Sequence, residues 1–581
     1  MVGTHREETT SSHQIAAGPA AAELSYPPGQ APMPNRIYRS AAQMAARQRN
    51  ISVSEFFSKN RHLLGFDSPY KAVLTSVKEA VDNALDACEE AGILPEVSVE
   101  ISKVRDDVYC VVVEDNGPGI AEEQVGRIFG KLLYGSKFHK LSQSRGQQGM
   151  GIAAAGMYSQ LTTGKPMRIR TRTGRRKPAW EMLVSIDTVR NRPEVRKKRK
   201  VDWKKAHGTR VEITMEGQHR SGAHSVERYL RLTAVANPHV SLRYVAPDGS
   251  VHDFARSSPE VPDAPTEIKP HPHGVELGRL IHLLKHTEHK HLGSFLREEF
   301  SRVGSVTAKQ IIARVDGLSA RSYPKRVARK QAAALHRAIT HTKISAPTTD
   351  CVVPIGEAQI IAGLERELAA DLYLATSRPP AVYRGNPFVV EVGVAYGRPG
   401  DAQLELAADG RIQKRPTPER DAEELIAAPG DPVALMRFAN RVPLMFQQSA
   451  CIMTKAVIDT NWKAYGVSQA KGALPIAPMA LFIHVASVWV PFTSESKEAV
   501  AAYDEIHKEL LLALRECGRG LKRHISKHKR LQQEHERRTH ITTFLPHIAH
   551  ALGEMLELES VRQERLIDSL DQALLRRRRK R

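Results

Sequence analysis

The sequence predicts a multidomain α/β (α+β) protein: two α/β regions separated by a small helical insert and followed by C-terminal helices. Three observations predict it. β-Branched strand runs occur in two regions far apart, Tyr109–Glu114 and Phe388–Tyr396. Residues 275–340 between them carry helical periodicity and no strand run. At 581 residues the chain is long enough for several cores.

Residues 1 to about 45 are rich in Ala, Ser, Pro, Gln and Thr and read as a largely disordered extension. Ser54–Asn60 begins an ordered helix or strap. The run Lys78–Ala87 (KEAVDNALDA) reads as a helix that stops near Gly92 and Pro95. Its spacing places Glu79, Asp82, Asn83 and Asp86 on one face, with Val77, Val81, Ala84, Leu85 and Cys88 on another that suits packing on a sheet. Such a polar face can take a proton from water and hold a hard metal ion, and a solvated acidic face is the competing reading. Val97–Ile101 alternates as a strand, and Tyr109–Glu114 reads as a buried one.

That strand empties into Asp115-Asn116-Gly117-Pro118-Gly119. A carboxylate at a strand end can accept from an exocyclic amine, and Gly117 and Gly119 let the backbone approach a ring; a simple turn has the same composition. After Leu132–Phe138 comes Gly146-Gln147-Gln148-Gly149-Met150-Gly151-Ile152-Ala153, a glycine loop opening an Ala-rich helix. Its amides and helix N-terminus suit an anion, and Ser136 and Lys137 can close over phosphates. It is neither a Walker A loop nor a Rossmann fingerprint. His207-Gly208-Thr209 then turns into a strand.

These four pieces in order resemble the Bergerat-type ATP site of the gyrase/Hsp90/histidine-kinase/MutL superfamily. The resemblance implies that Glu79 polarises the attacking water, Asn83 holds Mg²⁺, and Asp115 binds the adenine amine of ATP. It also implies that Gly117, Gly119, Thr209, Ser136, Lys137 and residues 146–153 contact the nucleotide. Histidine kinases typically lack the general-base Glu, so Glu79 speaks for a hydrolase.

Pro259–Pro270 suits a linker. Val275–Phe300, Thr307–Val315 and Lys325–Thr340 read as helices. His282, His286, His289 and His291 suggest a metal site, against a polar helix face that needs none. Ala480–Val488 reads as a second buried strand of the later α/β region. Lys463 sits between aromatics in Trp462-Lys463-Ala464-Tyr465, where a surface lysine flanked by core aromatics is one reading. Glu498 to about Gln533 reads as a long helix, with further helices from Thr539 to Leu575 and a basic tail that is either solvated or DNA-facing.

SEFFSKN, LLYGSKF, KPHPHGVELGRL, RFANRVPL, NWKAYG and VASVWVPFTSESKEA are similar to the B-subunit family of type IIB topoisomerase VI, from about Ser54 to about Val500. The resemblance implies a Bergerat (GHKL) ATPase sandwich at 46–255, a helix–two-turn–helix insert at 256–345 and an S5-domain-2-like α/β transducer at 346–500. A long helix and basic tail would fill 501–581, behind the 1–45 extension. It implies that Lys463 reaches the γ-phosphate and that two copies dimerise on ATP binding. It further implies an A2B2 heterotetramer with the DNA-cleaving A subunit, relaxing or decatenating duplex DNA. A MutL-like or chaperone-like ATP-gated clamp is the alternative, and a non-hydrolysing scaffold a third.

A formal charge of +21 and a pI near 9.7 fit a polyanionic partner such as DNA. Five scattered cysteines without CxxC spacing speak against a Cys-based zinc site and for reduced thiols in a cytosolic setting; with the DNA partner that the resemblance implies, the expected location is cytoplasmic and nucleoid-associated. No apolar run reaches membrane-spanning length, and the N-terminus lacks a signal segment.

Overall fold

A computed structural model describes residues 40–46, 48, 51–137, 140–146, 149–188, 190–397, 403–406, 412–415, 425–494, 496–555, 565 and 569. The chain divides into a short unit, Met1–Ile51, and a large one, Ser52–Arg581. The described part of the short unit holds helix α1, Ala41–Ala45, inside the stretch expected to lack structure. A reciprocal cap forms it: the Ser40 hydroxyl accepts from Gln43 N, and Gln43 Oε1 accepts from Ser40 N.

The large unit begins with α2, Val53–Lys59, and α3, Pro69–Glu90, which starts on a proline at its first turn. β1 (Glu96–Arg105), β2 (Val108–Glu114), α4 (Glu122–Gly130) and α5 (Gly151–Thr163) follow. Next come β3 (Met167–Arg172), β4 (Ala179–Asp187), β5 (Arg192–Val201) and β6 (Gly208–Glu216). Helix α6 (Val226–Ala236), β7 (Ser241–Val245) and β8 (Val251–Phe254) complete the layer. The eight strands form one sheet in the order β5-β4-β3-β6-β2-β1-β7-β8, antiparallel except where β1 meets β7. Val77, Val81 and Leu85 of α3 are fully buried in the shared core with Val99, Val111 and Ile169. Each such side chain contributes about 1.5–3 kcal/mol, so this face fixes which way α3 turns its polar residues.

Residues 255–271 carry no regular element, as a linker should, yet they are tied down: Ile268 N donates to Leu141 O and Thr266 N to Asp350 O. The helical insert comprises α7 (Leu277–His286), α8 (Leu292–Glu299), α9 (Ser305–Ala313) and α10 (Arg329–Thr340) around Leu280, Phe295, Ile311 and Leu335. The single helix expected over 275–300 is therefore two. Thr287 stops the first, because its hydroxyl accepts from His289 N and offers the backbone an alternative to the helix.

The second α/β layer holds α11 (Glu357–Glu367), β9 (Leu372–Ser377), β10 (Ala381–Tyr383) and β11 (Asn386–Tyr396). A separate hairpin, β12 (Gln403–Leu406) with β13 (Ile412–Arg415), precedes β14 (Ala434–Ala439) and β15 (Val442–Pro443). Helix α12 (Ile452–Asp459), the short pair β16 (Ser468–Gln469) and β17 (Pro475–Ile476), and β18 (Met479–Ser487) follow. β10-β11-β18-β14-β15 run side by side, and β9 also pairs with β11. Helix α13, Asp504–Met555, buries Leu510, Leu514, Cys517 and Leu521 in the core that holds β11 and β18. It is one helix through residue 555, with Pro546 inside it, where separate helices were expected. None of the described helices is long and apolar enough to cross a membrane.

Candidate active site

One cavity of about 560 Å³ opens between α3, the Asp115–Gly119 turn, α4 and the glycine loop. Glu79 and Asn83, one helical turn apart on α3, both line it. The polar face is narrower than its spacing implied. Asp82 is buried beneath the cavity floor, where its Oδ1 accepts from the Tyr229 hydroxyl at 3.1 Å. Burial there pushes its carboxyl up to about 6. Asp86 is also buried, paired with Lys137 and, at 2.9 Å, with Arg145; these cations outweigh burial and hold it below the usual carboxylate range.

The Asp115 turn is built by backbone amides. Asp115 Oδ1 accepts from Gly117 N at 2.8 Å and Thr209 N at 3.0 Å, and Asp115 N donates to Thr209 O at 2.9 Å. These bonds join the Asp115–Gly119 and His207–Thr209 turns, and the His207 ring sits 2.8 Å from Gly117 O. Burial nevertheless raises the Asp115 carboxyl to about 6. Gly119 is required: it has φ +74°, and a Cβ would lie 2.1 Å from Arg172 O.

Ser136, Lys137, Gly146, Gly149, Met150, Gly151 and Ile152 line the same cavity, together with Gly119, Asp115 and Thr209. Gly117 is not in its wall and acts through its amide on Asp115. Ala153 faces the sheet core, one residue round α5 from Ile152. Gln147 and Gln148 lie outside the described residues. Lys137 already has an anion, the Asp86 carboxylate.

Lys463 stands elsewhere. It is exposed on a short 3-10 turn, Trp462–Tyr465, and takes no part in the cavity wall. The turn is anchored by Trp462, whose indole N–H donates to Val457 O, and by Tyr465, which packs over Gly518 of α13. The later domain enters the cavity with Lys497 instead, alongside Pro443, Met445, Phe446, Ser496 and Glu498. Lys497 Nζ donates to Arg145 O at 3.1 Å, just before Gly146. Lys78 also lines the cavity, and burial holds its ammonium below the usual lysine range. The only sequence sign of Lys497 is a lysine in the SESKEA stretch after a buried strand.

The histidines of the insert do not converge on a metal. His282 stacks on His286 at 4.1 Å, the His291 ring meets Arg321 O, and no cluster of three metal-ligating side chains occurs among the described residues. All five cysteines are free.

The arrangement can hold a nucleotide: an acceptor set in a buried turn, a glycine loop opening a helix, and a carboxylate and an amide between them. Residues 70–218 match the family model of the histidine kinase-, DNA gyrase B- and HSP90-like ATPases. Residues 347–537 match that of the topoisomerase VI B subunit transducer. The B subunit of type 2 DNA topoisomerase 6 from Archaeoglobus fulgidus is 45% identical over 525 residues, covering 90% of this chain and 82% of its own. The chain belongs to the topoisomerase VI B-subunit family. Within that family, the Methanosarcina barkeri protein is 44% identical over 518 residues, covering 89% of this chain and 79% of its own. The Natronomonas pharaonis protein is 34% identical over 704 residues, covering 89% of this chain and 84% of its own. In topoisomerase VI terms, the eight-stranded layer is the GHKL ATPase domain and the second α/β layer the transducer.

Proposed function

We infer that this chain is the ATP-binding and ATP-hydrolysing subunit of a type IIB DNA topoisomerase, and that its ATP sits in the cavity between α3 and the glycine loop. The observation that carries this reading is the shared cavity wall: Glu79, Asn83, Asp115 and the Gly149–Gly151 turn all face it. The adenine amine donates to Asp115, whose Oδ1 is already held by two amides. The phosphates lie against the glycine loop and the N-terminus of α5, with Ser136 and Lys137 above them. Glu79 takes the proton of the attacking water. Lys497 stabilises charge on the transferred phosphoryl group from the transducer side, in the role expected of Lys463.

Mg²⁺ fits the donor set: Asn83 offers an exposed amide oxygen one helical turn from Glu79, and the remaining donors of a hard cation are phosphate oxygens and water. An ion held by Asn83 would supply positive charge against the phosphates.

Two copies close on each other when ATP binds. The A subunit completes an A2B2 assembly and makes the double-strand break through which a second duplex passes. The charge of +21 suits contact with the phosphates of that DNA. The MutL-like or chaperone-like clamp without strand passage is not favoured, because the transducer matches that of the topoisomerase VI family. The test is decatenation of linked circles with the A subunit, ATP and Mg²⁺, using wild type and Glu79→Ala. Wild type should decatenate; Glu79→Ala should bind ATP and fail to turn over. Decatenation that proceeds without ATP would refute the reading.

A further inference from the structure

The root of the glycine loop is held by the transducer at successive residues. Asn440 Nδ2 donates to Ser144 O at 3.0 Å, and Lys497 Nζ donates to Arg145 O at 3.1 Å. The Arg145 guanidinium turns the other way, into the ATPase core. It donates to Asp86 at 2.9 Å, to both oxygens of Glu89 at 2.7 Å and to Asn237 Oδ1 at 2.5 Å. Asn237 is the fully buried cap of α6, and its amide donates onward to Arg441 O at 3.2 Å.

Asn440 and Arg441 form the tight turn between β14 and β15, and both are left-handed, with φ +48° and +67°. Asn tolerates that region, whereas for Arg it costs about 1–2 kcal/mol. Buried hydrogen bonds hold Arg441 there: its N–H donates to His484 Nε2 at 3.0 Å, and its guanidinium to Pro354 O at 3.1 Å. A backbone amide is always the donor, so His484 Nε2 is the acceptor and Nδ1 carries the proton. Nδ1 donates to Glu391 at 2.8 Å. Glu391, fully buried in β11, accepts also from the amides of Ile355 and Gly356 at the start of α11. Hydrogen bonds thus run from Asp86, the buried partner of Lys137 in the cavity wall, through Arg145, Asn237 and the 440–441 turn, to the middle strands of the transducer.

We propose that the Asn440–Arg441 turn, joined to the glycine loop by Asn440 and Asn237, is the positioning element that couples nucleotide occupancy to the seating of the transducer. It rests on the reading that this loop holds the phosphates. Loop and turn share buried partners, so ordering the loop orders the turn, and by linkage the reverse holds equally. Neither asparagine touches the nucleotide; both act through the loop.

Two variants cut the joint from opposite sides, and each also removes a bond inside its own domain, so the unfolding midpoint of each is measured first and the comparison is made well below it. Asn237→Asp keeps the acceptor for Arg145 and loses the amide donor to Arg441 O and to Thr233 O of its own helix. Asn440→Gly keeps the left-handed turn and loses the donor to Ser144 O, together with the two bonds that the Asn440 amide makes to Ser487 within the transducer. Full-length wild-type and variant proteins are compared by affinity for a non-hydrolysable ATP analogue, by steady-state ATPase, and by hydrogen exchange at residues 440–444 with and without the analogue. In wild type the analogue should slow exchange at the Arg441 amide. Each variant should bind the analogue within about threefold of wild type, lose the analogue-dependent protection, and lose about tenfold or more in kcat with little change in KM. Wild-type kcat, or retained analogue-dependent protection in both variants, would overturn the coupling. Gly149→Val tests the underlying reading separately: unchanged analogue affinity there would remove the loop from the phosphate site and the proposal with it.

Discussion

Glu79 and Gly151 share one space: a Cβ at Gly151 would lie 1.7 Å from Glu79 Oε2. The carboxylate thus rests on the first residue of α5, and any side chain there must push it aside. Gly151→Ala should therefore cost hydrolysis almost as much as Glu79→Ala, on the order of 10²–10⁴ in rate. Affinity for an ATP analogue is followed separately, because Gly151 also begins the helix end against which the phosphates lie. Steady-state ATPase with a parallel binding titration checks this, and near-normal turnover in Gly151→Ala would remove Glu79 from the proton transfer.

The two transducer lysines give opposite expectations. Lys497→Ala should slow hydrolysis by on the order of 10²–10³, the usual cost of losing one donor to developing charge. Lys463→Ala should leave the intrinsic ATPase within about twofold, because exposed substitutions away from a site cost little. Measuring kcat for both variants decides between them, and a larger loss in Lys463→Ala would return the phosphate contact to that turn.

Asp115 predicts a pH dependence. Burial raises its carboxyl from the ordinary range to about 6. Between those values the folded state holds more protons than the unfolded chain, so stability from this group is complete at low pH and is lost as pH rises through about 6. Nucleotide has the opposite preference, since the ionised carboxylate is the better acceptor for the adenine amine. Affinity for a fluorescent ATP analogue should weaken as pH falls below about 6, with proton release on binding near that pH. Asp115→Asn should weaken binding by about 1–3 kcal/mol and flatten the profile. An unchanged pH profile in Asp115→Asn would assign the dependence to another group.

Gly119→Ala should destabilise the ATPase domain by about 1–3 kcal/mol through its left-handed φ alone, before the overlap with Arg172 O is counted. The shift should be visible as a lower unfolding midpoint without nucleotide. An unchanged midpoint would mean that the turn opens away from β3 at no cost.

Much of this site was legible because its parts are local. The fourfold spacing of Glu79 and Asn83, the Asp115–Gly119 turn and the glycine loop each announce their geometry within a few residues. Asp82 was not legible: it sits about 100° round the helix from Asn83, and spacing cannot say where a polar face ends. Tyr229, which claims Asp82, comes from a distant helix. Lys497 was hidden for the same reason, since only the packing of the transducer against the ATPase layer brings it to Arg145 O. The break at Thr287 is a contest between a side-chain hydroxyl and the helix for one amide, which apolar periodicity does not register. Strand runs such as 388–396 were legible because burial on both faces makes the run almost wholly apolar, with Glu391 its one charged residue.

Helix α13 has 52 residues, and at 1.5 Å per residue it is about 78 Å long. Leu510, Leu514, Cys517 and Leu521 in its first part are buried against the transducer strands, and Leu545 and Ala549 near its far end are buried as well. About 51 Å of helix follows Leu521. A rocking of about 5° at the base sweeps the far end through about 4 Å, more than the length of a hydrogen bond. The rod therefore enlarges a small adjustment at its foot into a stroke that whatever grips its tip can feel.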